Sequence, residues 1–268
     1  MYTDSDKVLR DYFIELEKEQ KAYRISEHDA VVLKQMLGEI NDLKGTELCY
    51  LSELAHYYVK GSGEIVKKYI DLFDAEDVRS YLLHHMVHDR ITDCDKLIYH
   101  LYLHFKASSN YIPPPGQPGP FAIYVSYDNA FRKLKPKRMK NELISLAYNP
   151  RDAFYLSLSM RMLASWRIPE LESLFTSYVD GTSVTPESVG LPTQPESFYP
   201  PFSFIKKQLR FIGIRSLKYY PSESTIKLIE NCIGEQDKDI CSAAKKTLSF
   251  IEKRNRPADA SPSGEEEK

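Results

Sequence analysis

A chain of 268 residues, 42% hydrophobic and 28% charged, has enough apolar material for a substantial core and an ordinary charge load for a globular protein. No apolar run reaches the roughly 20 residues of a membrane helix, and Asp4, Asp6, Asp11 and Glu15 exclude the basic-then-apolar order of a secretory signal. The net charge of −2 conceals a polarity: residues 1–130 carry 14 Lys+Arg against 21 Asp+Glu, and residues 131–256 carry 21 against 13.

In chain order, Val8, Leu9, Tyr12, Phe13 and Leu16 recur at helical spacing. Ser26 with Asp29 resembles a capping box and opens a helix with Val32, Leu33, Met36, Leu37 and Ile40 on one face. Gly45 closes it, and Thr46 is expected to cap a helix carrying Leu48, Leu51, Leu54 and Ala55 that ends at Gly61 and Gly63. Short helices are expected over 65–73, 75–88 and 94–105, completing an acidic N-terminal region of helical repeats, 1–106. Residues 107–130 read as a Pro-rich linker or arm. The prolines of ASSNYIPPPGQPGP forbid helix, and the alternation in FAIYVSYDN points to a short strand or an extended arm. The basic region 131–256 contains a second Pro/Ser/Thr-rich insertion at 180–201, and the tail 257–268 is expected to be disordered.

A repeat is visible near the C-terminus. Leu209, Gly213, Leu217 and Tyr220 recur 31 residues later as Ile240, Ala244, Leu248 and Ile251. Ile226, Leu228, Ile229 and Ile233 form the face of the helix between them. A period in this range signals stacked helix pairs, none of which can bury its apolar side alone. The small residue at Gly213 or Ala244 admits a close neighbour.

The pattern resembles the HEAT-repeat family on four segments. They are Asp74-Ala75-Glu76-Asp77-Val78-Arg79 with Leu82 and Met86; Leu209-Arg210 with Gly213 and Leu217; and Asp237-Lys238-Asp239-Ile240 with Ala244 and Leu248, where Cys241 replaces the family's Arg. A degenerate copy runs Tyr155, Ser159, Leu163 after Asp152. The resemblance implies an all-α fold, an irregular α-solenoid of stacked antiparallel helix pairs with a concave face. It also implies that Asp74, Arg79, Arg210 and Asp237 link neighbouring repeats. It implies no activity, because such scaffolds host many.

Five of seven histidines lie between His84 and His104. His84/His88 and His100/His104 have the i,i+4 spacing of metal ligands. The first pair projects away from the apolar side of Leu82, Leu83, Met86 and Val87, however, and the second flanks another stripe. The rings are not expected to converge, and no metal or cofactor is assigned. Cys49, Cys94, Cys232 and Cys241 lack zinc spacing and read as buried thiols in a reducing compartment.

Arg132, Lys133, Lys135, Lys137, Arg138 and Lys140 run without an acid, after Tyr124, Tyr127 and Phe131. Lys206, Lys207, Arg210, Arg215 and Lys218 form a second basic set. On one concave face they would make a site for a polyanion or an acidic partner. Trp166 with Glu170 is similar to the aromatic–acidic pair of HEAT-like DNA glycosylases, but Pro169 should break the helix between them, and Trp166 reads as a packing residue. There is no phosphate loop, no GxSxG and no nucleophilic Cys with a local His. The expectation is a cytoplasmic, non-enzymatic adaptor that binds a protein partner. The alternative is a nucleic-acid-binding protein, DNA-repair-like, that uses the basic second half.

Overall fold

The computed structural model describes residues 15, 25–56, 61–107, 120–134, 137–189 and 200–255, and every regular element among them is helical. None of these helices is long and apolar enough to cross a membrane. The chain packs as two compact units divided between Lys140 and Asn141. The helix expected around Val8–Leu16, nearly all of the first Pro-rich segment, the middle of the 180–201 insertion and the 257–268 tail lie outside the described residues, as does Lys135.

In the first unit, α1 (Glu27–Lys44) is capped by Ser26, whose Oγ accepts the Asp29 N–H at 3.0 Å, and it ends on Gly45 at φ 63°. Val32, Leu33, Met36, Leu37 and Ile40 are buried, the face read from the sequence. Thr46 does not cap the next helix. Its hydroxyl donates to Asn41 Oδ1, which also accepts the Leu48 N–H. Helix α2 (Glu53–His56) begins later, where the Glu53 carboxylate accepts the N–H groups of Cys49 and Tyr50 at 2.6 and 2.8 Å. Helix α3 (Gly63–Tyr69) runs into a 3-10 turn, Ile70–Leu72, and α4 (Glu76–His88) follows. The buried Asp29 carboxylate accepts the N–H groups of Asp74 and Ala75, tying α1 to the entry of α4.

Helices α5 (Asp95–Ala107) and α6 (Pro120–Leu134) complete this core. The expected strand or extended arm over FAIYVSYDN is instead the body of α6, so 120–130 belong to the folded unit and not to a linker. The reason lies in Tyr124, Tyr127 and Phe131, which share one helical face at i, i+3 and i+7. That face packs on α4 and α5, with Tyr102 edge-on to Tyr127 and Phe131 at 5.4 and 5.8 Å. Such aromatic contacts add about 0.5–1.5 kcal/mol each beyond burial. Burying three rings outweighs the weak alternation that suggested a strand.

Helix α7 (Lys140–Ala147) spans the division, and α8 (Pro150–Tyr155) starts with proline under an Asn149 cap. Helices α9 (Ser157–Ser165), α10 (Glu170–Asp180), α11 (Phe202–Leu217), α12 (Glu223–Ile233) and α13 (Lys238–Asn255) follow. The principal neighbours are α10 with α11, α12 with α13, and α11 with α13; α8 and α9 also pack on α11. Gly213 lies against Phe175, Tyr178 and Val179 of α10, and Tyr178 donates its hydroxyl to the Ala147 carbonyl. Cys94 and Cys232 are buried as expected, but Cys49 is exposed and Cys241 half-buried.

Candidate binding surface

The two basic sets lie in different units. In the first, Arg132 and Lys133 are exposed in the last turn of α6, and Arg138 pairs with Asp93 at the surface. Lys137 opens a 3-10 turn, and its side chain lies outside the described residues.

In the second set the structure commits two cations internally. Lys207 Nζ stands 2.8 Å from Asp237 and 2.9 Å from Asp239. Arg210 forks onto the Glu235 carboxylate, and its Nε donates to the Val179 carbonyl at 2.9 Å. These hydrogen bonds hold the Glu235 and Asp237 carboxyls below their ordinary values. Lys207 and Arg210 therefore tie α11 to its neighbours. The end of the Lys206 side chain lies over Gly181, which takes φ 74° at the end of α10.

Beyond these pairs, α11 carries no acidic residue, and its outer row continues through Phe211, Arg215 and Lys218. The Arg215 guanidinium sits 5.4 Å from the Phe211 ring centre. Lys218 Nζ lies 4.9 Å from the Tyr219 ring and 4.8 Å from that of Phe250 on α13. The two rings meet edge to face at 6.1 Å. Helices α11 and α13 run in the same direction, because Lys207 meets Asp239 near their starts and Tyr219 meets Phe250 towards their ends. Four residues before that last contact, Arg215 and Lys246 fall on corresponding turns. Lys246, Phe250 and Lys253 share a face at i, i+4 and i+7. Phe250 is 40% exposed, large for a ring beside three cations. Arg215, Lys246 and Lys253 are exposed and make no ion pair among the described residues. Sequence reasoning missed Lys246, Phe250 and Lys253. The 31-residue offset that aligned the buried positions also aligns Arg215 with Lys246 and Tyr219 with Phe250, and this signal was present in the sequence.

The histidines go to separate partners. His85 is buried with Nε2 2.5 Å from Ser62 Oγ, while His84 and His88 are exposed. His100 Nε2 lies 3.9 Å from Asp71. His104 Nδ1 lies 3.0 Å from Arg79 and 3.2 Å from Glu76. One group of potential ligands, His28, Asp29 and Asp74, does converge among the described residues. Its Asp29 oxygens already accept backbone N–H groups and His28 bonds the Leu72 carbonyl, so the group reads as a structural link. Trp166 caps α9, half-buried, and Glu170 starts α10 after Pro169; the two do not share a helix.

Burial pushes the His85 imidazole below its ordinary value of 6.5. Between the lowered native value and 6.5 the unfolded chain binds the extra proton, so stability rises with pH there. The contribution is complete above about pH 6.5 and is lost as pH falls through the lower native value. Thermal melts from pH 7.5 to 5 should show this acid limb, and His85→Gln should flatten it. An unaltered limb in the variant assigns the pH dependence elsewhere.

No family model, no curated protein and no solved structure matches this chain.

Proposed function

We propose that this chain is a non-enzymatic binding scaffold, an irregular HEAT-like α-solenoid that holds a protein partner on the outer side of its repeated helices. Several contacts support the architecture. Lys206 over Gly181 and Gly213 against Phe175 support an antiparallel pairing of α10 with α11, and the packing of α12 on α13 supports a second pair. First helices pack on first (α10 on α12) and second on second (α11 on α13), the order of stacked repeats. Asp237 accepts the Asp239 and Ile240 N–H groups at the start of α13, and Arg210 reaches Val179, 31 residues earlier. The Arg210 contact, with the Lys207–Asp237 pair, supports the linking role proposed for Arg210 and Asp237.

One observation carries the functional reading. The paired helices α11 and α13 carry a row of exposed and half-exposed cations and rings, Arg215, Lys218, Tyr219, Lys246, Phe250 and Lys253, whose cations make no ion pair among the described residues. Aromatic rings and arginine are enriched at protein interfaces.

A photo-crosslinking residue at position 246 or 253 should capture a discrete partner in cells, and the same residue at exposed position 34 on α1 should not. Equal adducts from all three positions, or none, sink the scaffold reading. The nucleic-acid alternative draws on the exposed Arg132 and Lys133. It requires binding to DNA or RNA that strengthens steeply as salt falls.

A further inference from the structure

We infer that the segment bound along α11 and α13 is an acidic stretch of a protein partner, recognised through its carboxylates. This inference rests on the scaffold reading and names the chemistry of its ligand. Two features of the row select carboxylates over bases.

The first is charge. Arg215, Lys218, Lys246 and Lys253 line the row, and Asp239, two turns earlier on the same face of α13, is tied to Lys207. Corresponding turns of packed helices stand about 8–10 Å apart. Lys246 and Lys253 are seven residues apart on one helix, about 10 Å along its axis. Like charges at this separation repel, and a ligand that places carboxylates between them relieves the repulsion. A partner with acids spaced one to two helical turns apart meets this condition.

The second is the state of the rings. Lys218 lies over both Tyr219 and Phe250, and Lys207 and Arg215 both lie against Phe211. Single-stranded nucleic acid gains much of its affinity by stacking bases on open aromatic faces, worth about 1–3 kcal/mol per base. Here a cation stands within 6 Å of the centre of each ring. A carboxylate needs no displacement: it accepts the outward N–H groups of an arginine or lysine whose inner side already rests on a ring.

The test is fluorescence anisotropy of the full chain with labelled 16-residue polyglutamate, polyglutamine of equal length, and a 16-nucleotide oligothymidylate. Polyglutamate should bind, with an affinity that declines as salt rises. Lys246→Glu/Lys253→Glu should weaken that binding about tenfold or more, the loss expected when attractive charges become repulsive. Lys246→Arg/Lys253→Arg should retain it. Arg132→Glu/Lys133→Glu, an identical change of net charge in the other unit, should leave it within about twofold. Equal losses from the two reversals, or tighter oligothymidylate binding abolished by Lys246→Glu/Lys253→Glu, would overturn the inference; the second result assigns the row to nucleic acid. Circular dichroism of each variant verifies the fold. If positions 246 and 253 crosslink a partner that polyglutamate does not displace, the scaffold reading stands and the carboxylate inference fails.

Discussion

Arg79→Ala is expected to destabilise the first unit by about 3–5 kcal/mol, the cost of leaving a buried charge without its partner. Arg79 and Glu76 pair at 2.7 Å with side chains only 6% and 7% exposed. Truncation would leave the buried Glu76 carboxylate with His104 Nδ1 3.2 Å away in place of the guanidinium. The loss is specific to breaking the pair and does not measure what the pair adds. Arg79 Nε and Glu76 Oε2 have no hydrogen-bond partner among the described residues, so the ion pair is already imperfectly compensated. Replacing both residues with apolar ones, as in Glu76→Leu/Arg79→Met, should therefore cost much less than Arg79→Ala alone. Urea denaturation followed by far-UV circular dichroism measures the order of these variants. The single tryptophan, Trp166, belongs to the second unit, so its fluorescence gives a separate reading there. If Glu76→Leu/Arg79→Met proves worse than Arg79→Ala, the account of this pair is wrong.

Gly213→Ala and Gly38→Ala are expected to act in opposite directions although both glycines are helical. A Cβ at Gly213 would stand 2.6 Å from the Phe175 carbonyl oxygen, 2.8 Å from a Val179 methyl and 3.2 Å from Tyr178 Cβ. A main-chain oxygen cannot swing aside, so α10 and α11 must part. Overpacking of this kind costs about 1–3 kcal/mol, more than helix propensity returns. At Gly38 nothing lies within 4 Å of the added carbon. There alanine should stabilise by about 0.5–1 kcal/mol through the lower backbone entropy of the unfolded chain. Thermal midpoints that move the same way for both variants would contradict the close approach of α10 to α11.

The elements visible in the sequence were those whose signal is local. Ser26 and Gly45 bracket α1 because a hydroxyl cap and a left-handed glycine act within a few residues. Helix α6 was misread over FAIYVSYDN because a short aromatic-rich run satisfies both periods; its ring partners on α5 come from a different part of the chain. The basic residues were readable as charge but not as role. Lys207 and Arg210 find their acids 25–32 residues away, whereas Arg215, Lys246 and Lys253 make no ion pair among the described residues.

By itself the sequence determined that the chain folds as helices, where most of them turn their apolar faces, and that 31 residues relate α11 to α13. Those properties follow from hydrogen bonding and side-chain periodicity within single segments. Only the tertiary structure decided which charges face inward to partners and which face outward, which histidine meets which acid, and that Phe250 and Tyr219 share one lysine. A salt bridge or a ring contact depends on two side chains brought within a few ångströms by packing, and no single helix encodes that distance.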